Sequence, residues 1–573
     1  MKKYLFIALA ALGFAACAEK LDDNSPVHNG ELEESYIAIN LMSADVDTRA
    51  ATDTYGYEEG TEAERAVNSA YFFFFDENGN PFNVTGAPAT APGGAKNHLT
   101  LAITDAASSD MPNISDIKNA VLVLSTYKGI YPSQIVAVLN WVPKEDKAYS
   151  LTDLHKALET IGNDDKGYVM SNSVYMDGAK KMIDAVPLTA ANIKTTQSEA
   201  LAAPINIYVE RTAAKVVLTA SGKVENTDNI FDTQKSSTPV VTLGTPSTIN
   251  VFVKLLGWEL YNDYSTSSLL KNIDTSWDIA GLGLTWNDIP YYRCYWATSQ
   301  SNDYVDNTFA WSYSDDDKVT KGFQTNYGFA IAPATLARTT YTYCGENTNQ
   351  VDGTTDPRTK VILKGQLMKK NGENYEPLEL ARWYGTEYAG NEDLRTAVAN
   401  SLKYTLYSST DGTTFYSIRP EDIQCVTGAT VGAEAYEVGF QLSDTGDDKS
   451  WYQYSSEEGY QVLGSLDADA NKTAANTYLK GVEPGILYTN GMTYYHVDIE
   501  HLGTAGAKYG VIRNHVYQID IESINGYGSP FYSSLDFIVD VPDYPEEDDG
   551  SYVAAKINIL SWKVVKQGVN VGQ

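Results

Sequence analysis

The chain of 573 residues has little cysteine, little histidine and a shortage of positive charge. Its 42 lysines and arginines against 74 acidic residues give a formal net charge of −32, which argues against binding to nucleic acid or to anionic lipid. None of the four cysteines has CxxC or CxxH spacing, so no zinc site is expected. The last three, Cys294, Cys344 and Cys425, allow one disulfide and one free thiol, and the sequence gives no basis for choosing the pair.

Motifs of catalysis are also missing. There is no GxSxG, no P-loop and no GxGxxG that opens a helix, and His496 and His501 are not in HExxH spacing. The acidic clusters do not follow a calcium-loop pattern, and with so many carboxylates any apparent catalytic pair is uninformative. Of the nine tryptophans, Trp258 and Trp562 lie in strand patterns and are expected in cores rather than on a sugar platform. We therefore predict no catalytic residue, no metal site and no cofactor.

The one prominent apolar run lies at the start of the chain and resembles a bacterial secretion signal. Lys2 and Lys3 precede an apolar stretch, Tyr4–Phe14, that is too short to span a bilayer, and two alanines lead directly into Cys17. A cysteine at this place is the acylation site of a lipoprotein; the alternative is an ordinary cleavage site followed by a chance cysteine. Acylation predicts a precursor anchored in the outer membrane through Cys17.

A half-buried strand is predicted soon after the signal. Residues 36–41 alternate, with Ile37, Ile39 and Leu41 on one face. Arg49 follows within a polar, acidic stretch, where a lone arginine is an accessible protease site, with Ala50 beyond the scissile bond. The alternative is a surface arginine of no consequence.

Elsewhere the 41 tyrosines, the frequent Gly, Thr, Ser and Asn, and the scarcity of long helical patterns indicate a mainly β protein. Strong strand patterns include 66–75, 205–219 and 249–261, the second interrupted by Glu210 and Arg211. Short helices are predicted over 151–161, capped by Ser150, and over 392–402, capped by Asn391. A polar, Pro/Thr-rich stretch suggests a domain boundary near residue 230.

The C-terminus combines a hinge-like segment with a strand. Residues 541–550 are acidic, contain two prolines and are poor in strand signal. Beyond them, 553–565 alternates with Ile557 and Ile559 on one face, and then shifts register. An apolar strand behind a hinge must bury its face, either as the last strand of its own domain or by insertion into another molecule.

The segments 491–501 and 509–530 resemble the C-terminal signature of fimbrillins, the Mfa-like and FimA-like subunits of type V pili. The characteristic G-V-x-R-N-H-x-Y core falls on residues 510–517. The block VERTAAKVVL, 209–218, and the terminal ILSWKVV, 559–565, are similar to further strands of the family. The order of lipobox cysteine, strand and arginine also matches the family's precursor.

This resemblance implies a fold and a way of assembly. Fimbrillins have two transthyretin-like β-sandwich domains, and a surface protease specific for arginine removes a propeptide that carries the first strand. A strand from a neighbouring subunit then fills the opened groove. For this chain the implied segments are a signal peptide (1–17), a propeptide (18–49), an N-terminal domain (50–230) and a C-terminal domain (231–573) that includes the hinge (541–550) and donor strand (553–571).

The resemblance also implies residue roles and partners. Cys17 would be the lipidation site, Arg49–Ala50 the cleaved bond, and Ile37, Ile39 and Leu41 would mark the removed strand. The donor positions would be Ile557, Ile559, Trp562, Val564, Val569 and Val571. Partners would be other copies of the chain, tip and anchor subunits, the protease, a transient lipid anchor, and host or bacterial surface ligands. A monomeric surface lipoprotein that binds glycans or host proteins is the alternative.

Overall fold

The computed structural model describes most of the chain between residues 32 and 567. The described residues are 32–43, 60–86, 95–101, 117–127, 129–163, 165–173, 175–176, 182–183, 185–222, 224, 229–234, 239–242, 245–261, 264, 266–272, 341–348, 358–427, 437–501, 509–530, 552–560 and 564–567. Cys17, Arg49, Ala50, the segment 541–550 and Cys294 lie outside them.

Short strands form most of the regular structure, with a few short helices between them. The strands are β1 (Leu32–Ser43), β2 (Ala70–Phe75), β3 (His98–Leu101), β4 (Ile117–Tyr127), β5 (Gln134–Leu139), β6 (Leu158–Thr160), β7 (Gly162–Asn163), β8 (Gly167–Tyr168), β9 (Met170–Asn172), β10 (Tyr175–Met176), β11 (Met182–Ile183), β12 (Val186–Pro187), β13 (Ile205–Arg211), β14 (Ala213–Thr219), β15 (Ile230–Asp232), β16 (Pro239–Thr242), β17 (Thr245–Thr248), β18 (Val251–Tyr261), β19 (Thr266–Ser268), β20 (Tyr341–Gly345), β21 (Lys360–Asn371), β22 (Asn374–Pro377), β23 (Leu380–Trp383), β24 (Thr386–Tyr388), β25 (Leu406–Ser409), β26 (Tyr416–Ser417), β27 (Ile423–Thr427), β28 (Glu437–Leu442), β29 (Ser450–Ser455), β30 (Gly459–Val462), β31 (Gly485–Tyr488), β32 (Met492–Asp498), β33 (Val516–Asn525), β34 (Ser529–Pro530), β35 (Tyr552–Leu560) and β36 (Val564–Gln567). The α-helices are α1 (Glu62–Arg65), α2 (Leu151–Lys156), α3 (Gln197–Ala202), α4 (Asn391–Leu402), α5 (Asp444–Asp447) and α6 (Ala468–Lys480).

The first half of the chain is organised around one sheet, in the order β3-β2-β5-β9-β13-β1-β4, with β12 beside β5. Its strand β2 explains the run of four phenylalanines. Phe72 and Phe74 enter the first core, with Ile37 and Ile207, whereas Phe73 and Phe75 enter a smaller buried cluster on the opposite face. A strand that is buried on both faces reads as continuously apolar rather than alternating.

A second core lies between two further sheets. One has the order β20-β14-β33-β35-β36, and the other β15-β18-β21-β32-β34 with β22 beside β21. Inward side chains of the first, such as Val216 and Ile519, share a core with Trp258 and Leu363 of the second. Two antiparallel-rich sheets that bury their facing side chains against each other form a β-sandwich.

A third core was not expected from the sequence. The sheet β17-β16-β24-β23-β31-β28-β27 buries Trp383 and Phe440 against α4 and α6, and Trp451 of the sheet β26-β25-β29-β30 joins them. Helix α6 has only three buried residues and a weakly apolar composition, so its amphipathic pattern is faint. The mainly β class with short inserted helices is confirmed, and the third core adds to it.

The predicted helix ends are partly wrong. Helix α2 stops at Lys156, and residues 158–160 of the predicted helix form strand β6 instead. Its predicted cap is right, because the Ser150 hydroxyl accepts the Asp153 backbone N–H at 3.0 Å. Helix α4 follows Gly390 rather than an Asn391 cap, and the Asn391 N–H is bound by a distant carboxylate. A helix start that is bound by a carboxylate from elsewhere in the chain cannot be recognised from the residues next to it.

Strand pairing changes sheet in the middle of the predicted strand 205–219. Strand β13 belongs to the first sheet, whereas β14, which follows after Thr212, pairs with β33 near the C-terminus. This change precedes the stretch near residue 230 where the domain boundary is predicted; the division into domains stays a prediction. Among the described residues, no helix has both the length and the apolar character needed to cross a membrane.

Two of the three later cysteines fall within the described residues. Cys344 is buried in the second core and Cys425 packs against the third, and they form no disulfide with each other. Burial raises the pKa of the Cys425 thiol to about 12, so the thiol stays protonated at neutral pH. Whether Cys294 pairs with either stays an open prediction.

Candidate functional site

The strand predicted to be removed is an interior strand of the first sheet, next to the edge strand β4. Strand β1 pairs antiparallel with β4 on one side and parallel with β13 on the other. Ile37 lies opposite Leu122, and its side chain is fully buried in the core. Ile39 and Leu41 lie on the same strand, opposite Ala120 and Lys118 of β4. The strand predicted over 36–41 is confirmed and is longer than expected.

This position is unusual for a strand that is predicted to be removed. An edge strand could leave with the loss of one row of hydrogen bonds, but β1 pairs with β4 over Leu32–Met42 and also with β13 over Ile39–Ser43. Its removal would separate β4 from β13 and uncover the core around Ile37. Both neighbours would then offer unpaired backbone groups, which form a slot for another strand.

The C-terminal residues form two strands at the edge of a different sheet. Strand β35 runs antiparallel to β33, with Ile557 opposite Ile519 and Ile559 opposite Tyr517. Strand β36, which contains Val564, turns back on β35 at the end of the sheet. In this single chain the C-terminal strand thus folds back onto its own sheet. Trp562, Val569 and Val571 lie outside the described residues.

The two sequence blocks that resemble fimbrillins meet at a buried junction between β14 and β33. The Asn514 N–H donates to the Ala213 carbonyl at 2.6 Å, and the Lys215 N–H donates to the His515 carbonyl at 2.9 Å. Asn514 has a positive φ of 57°, a conformation that asparagine tolerates better than most residues. In that conformation its side-chain oxygen accepts from Arg211 Nη1 at 3.3 Å. These residues therefore serve to join strands that are far apart in sequence.

Arg513 lies at the centre of this junction and is completely buried. Its Nε and Nη2 donate to the two carboxylate oxygens of Glu346 at 3.3 and 3.2 Å. Nη2 also donates to the Ser268 carbonyl at 2.7 Å, and Nη1 to the Leu269 carbonyl at 3.4 Å. One guanidinium thus connects three separate parts of the chain with the planar geometry that only arginine provides.

The histidines of this region are part of the packing. His515 Nδ1 lies 2.8 Å from the Arg513 carbonyl, which can only accept, so this nitrogen carries the proton. The Tyr517 hydroxyl accepts from the Ile512 N–H and lies 3.0 Å from His501 Nδ1. All three rings are buried. Among the described residues, no group of three potential metal-binding side chains comes together.

Sequence reasoning singled out neither Glu346 nor a second buried carboxylate of this junction, Glu64. Its carboxylate is fully buried and pairs with Lys215 Nζ at 2.9 Å, and the Tyr343 hydroxyl donates to the same oxygen. Burial by itself raises the pKa of Glu64, but Lys215, Tyr343 and the Thr61 N–H outweigh it and hold the pKa below its ordinary value. The signal that could have found Glu64 is the capping-box pattern Thr61-x-x-Glu64.

These features define a class: a mainly β structural protein, with one terminal strand inside a sheet and the other at a sheet edge. Residues 486–568 match the family model described as major fimbrial subunit protein type IV, fimbrillin, C-terminal. The match confirms the resemblance to fimbrillins in this region, and it supports a structural subunit of a cell-surface fimbria rather than an enzyme. None of the curated proteins matches this chain.

Solved structures of three surface proteins are similar to the chain over almost its whole length. A putative cell adhesion protein from Bacteroides eggerthii is 12% identical, with coverage of 95% of this chain and 98% of that one and a TM-score of 0.34. One from Parabacteroides distasonis is 13% identical, with 94% and 100% coverage and a TM-score of 0.33. The tip fimbrial protein Mfa3 from Porphyromonas gingivalis, with C-terminal truncation, is 10% identical, with 92% and 99% coverage and a TM-score of 0.24. Superpositions this partial support no conclusion about this chain.

Proposed function

We propose that this chain is a structural subunit of a fimbria that is exported as an outer-membrane lipoprotein through Cys17, cleaved after Arg49 and polymerised by donor-strand exchange. The observation that carries the proposal is the place of β1, an interior strand that lies between the edge strand β4 and β13. A cut at Arg49 would free a strand whose loss opens a slot lined by the core of the first sheet. The C-terminal strand at the edge of another sheet would supply the replacement.

Cleavage makes this assembly directional. Before the cut, β1 is tethered to its slot at a very high effective concentration, so a strand from a second copy cannot compete. After the cut, the incoming strand gains backbone hydrogen bonds on both sides and buries alternate side chains. The contact is head-to-tail and does not close on itself, so it builds a filament. The presence of both an arginine site and a C-terminal strand favours a shaft subunit over a tip or anchor subunit.

The first prediction concerns the cleaved bond. Wild-type precursor treated with an arginine-specific protease should give a chain that starts at Ala50 and ladders on a gel, whereas Arg49→Ala should remain a monomer. Arg419→Ala, at an exposed arginine, is the matched control and should behave as wild type. N-terminal sequencing and gel mobility measure the outcome. Equal polymerisation of Arg49→Ala would contradict the proposal, and acylated Cys17 on the surface protein would indicate a permanent lipoprotein.

A second candidate function, glycan binding by a monomeric lipoprotein, is favoured by one surface. The outer face of the sheet β26-β25-β29-β30 carries a cluster of rings, which we call the tyrosine face: Tyr407, Phe415, Tyr454 and Tyr460. The Tyr460 and Phe415 rings stack with their centroids 3.9 Å apart. Tyr454 and Tyr460 are 38% and 39% exposed. Exposed rings with hydroxyl groups suit the apolar faces and hydroxyls of uncharged sugars.

This candidate gives the second prediction. If the tyrosine face binds sugar, the double variant Tyr454→Ser/Tyr460→Ser should lose glycan binding by about tenfold or more while its thermal melt stays unchanged. Tyr404→Ser, at a tyrosine that is 71% exposed and outside the cluster, is the matched control. A glycan array followed by titration of the best sugar measures the effect. Absence of any glycan binding by the wild type would remove this candidate.

A further inference from the structure

The chain contains two arginine–alanine bonds, and they lie close together in sequence. Arg49–Ala50 is the proposed cleavage site, and Arg65–Ala66 is the second. No other arginine stands between them, and no other arginine in the chain is followed by alanine. A protease that recognises arginine before the scissile bond therefore cannot separate the two by these residues. The structure around Arg65 offers a physical basis for a choice between them.

The residues before the second bond are held in a buried clamp, which we call the Glu64 clamp. Its carboxylate pairs with Lys215 Nζ at 2.9 Å and accepts from the Tyr343 hydroxyl and from the Thr61 N–H. The Glu64 carbonyl accepts from Arg211 Nε at 2.6 Å. Glu64 and Lys215 are at most 1% exposed. Both the side chain and the backbone of the residue before Arg65 are thus fixed from outside the helix.

The scissile bond itself is also inside hydrogen-bonded structure. Arg65 is the last residue of α1, and its N–H donates to the Thr61 carbonyl at 3.2 Å. The Ala66 N–H donates to the Ala63 carbonyl at 3.4 Å. Proteases bind their substrates as extended strands, which α1 can supply only after these bonds and the clamp are broken. Opening would leave Lys215 buried without its carboxylate, which is costly for a charged group.

We propose that the Glu64 clamp sets the limit of processing by withholding the Arg65–Ala66 bond from the arginine-specific protease. The inference rests on the proposed function, because it assumes that such a protease processes the chain at Arg49. Its consequence is that the mature subunit keeps Glu64. A cut after Arg65 would instead release Glu64 with the propeptide and take from Lys215 its ion-pair partner.

The clamp also gives residues 61–66 contacts that do not depend on β1. Lys215 belongs to β14, which pairs with β33 rather than with β1, so the Glu64 side chain is bound outside the slot, whereas its carbonyl is bound by Arg211 at the end of β13. The Lys215 ammonium is further held over the Tyr341 ring, 4.3 Å from its centroid. Withdrawal of β1 would therefore leave the side-chain contacts of Glu64 with Lys215 and Tyr343 in place.

The test compares N-termini after digestion of the full precursor with an arginine-specific protease. Of the two arginine–alanine bonds, only Arg49–Ala50 should be cut in the wild type. Lys215→Met, which leaves the sequence around both bonds unchanged, should add an N-terminus at Ala66 and raise its rate of appearance about tenfold or more, since cleavage follows the population of the opened segment. Tyr343→Phe removes one hydrogen bond and should give a smaller increase in the same direction.

Matched variants keep this test decisive. Glu62→Gln alters an exposed carboxylate of α1 outside the clamp and should leave the products unchanged. Lys215→Met/Arg65→Gln should lose the Ala66 product. If Lys215→Met fails to fold, the appearance of the Ala66 N-terminus in Tyr343→Phe decides the test. Cutting of wild type at Arg65 as fast as at Arg49, or unchanged products in both clamp variants, overturns the inference. Absence of cutting at Arg49 together with a rise at Arg65 in the clamp variants would overturn the proposed function alone.

Discussion

Removal of residues 552–573 from the precursor is expected to abolish polymerisation while cleavage at Arg49 proceeds as in the wild type. The deleted segment contains β35 and β36, and β35 is the nine-residue strand that the proposal assigns as donor. Without a donor, each cleaved subunit has an open slot but nothing to place in the next one. Gel ladders and size-exclusion chromatography after protease treatment measure the loss.

The deletion also uncovers β33 and could disturb folding. A pair of point variants therefore distinguishes loss of the donor strand from loss of the folded state. Ile557→Asp changes a proposed donor position, and Asn558→Asp places the same charge on the adjacent residue of β35. Alternate residues of a strand face opposite sides, so only Ile557→Asp should block entry into the apolar slot. A thermal melt checks that both precursors are folded. Polymerisation of the truncated chain at the wild-type rate would rule out the C-terminal strand as donor.

Arg513→Met is expected to lower the free energy of unfolding by about 3–5 kcal/mol, the range for a buried ion pair that loses one partner. Glu346 would stay buried with no guanidinium, and the Ser268 and Leu269 carbonyls would each lose a donor. Arg419→Met removes an exposed partner of Glu421 and should cost no more than about 0.5 kcal/mol. Urea unfolding followed by circular dichroism gives both values.

A double variant tests the cause of this loss. If the uncompensated charge on Glu346 dominates, Arg513→Met/Glu346→Met should recover part of the stability lost by Arg513→Met alone. A chain of this size can unfold in more than one step, so the comparison belongs to the transition that includes strand β33. A loss no larger for Arg513→Met than for Arg419→Met would show that the junction does not depend on this pair.

Predictions from local patterns succeeded where one face of an element meets a core. The alternation of residues 36–41 predicted β1, and the alternating start of 553–565 predicted β35, because a strand must present every second side chain to the same side. Ser150 was a correct cap because its partner, Asp153, is three residues away. The same reasoning failed at Asn391, where the partner of the helix start is the Glu379 carboxylate, twelve positions earlier in the chain.

The sequence by itself determined the mainly β class, the strand at each end of the chain and the similarity to fimbrillins, since these depend on residue type and on spacing over a few positions. Only the tertiary structure decided that β13 and β14 join different sheets, that α4 and α6 complete a third core, and that Glu64 meets Lys215. The physical reason is that any strand edge offers the same backbone donors and acceptors. Which edges pair depends on how whole faces pack, and that choice joins residues such as Glu64 and Arg211, 147 positions apart.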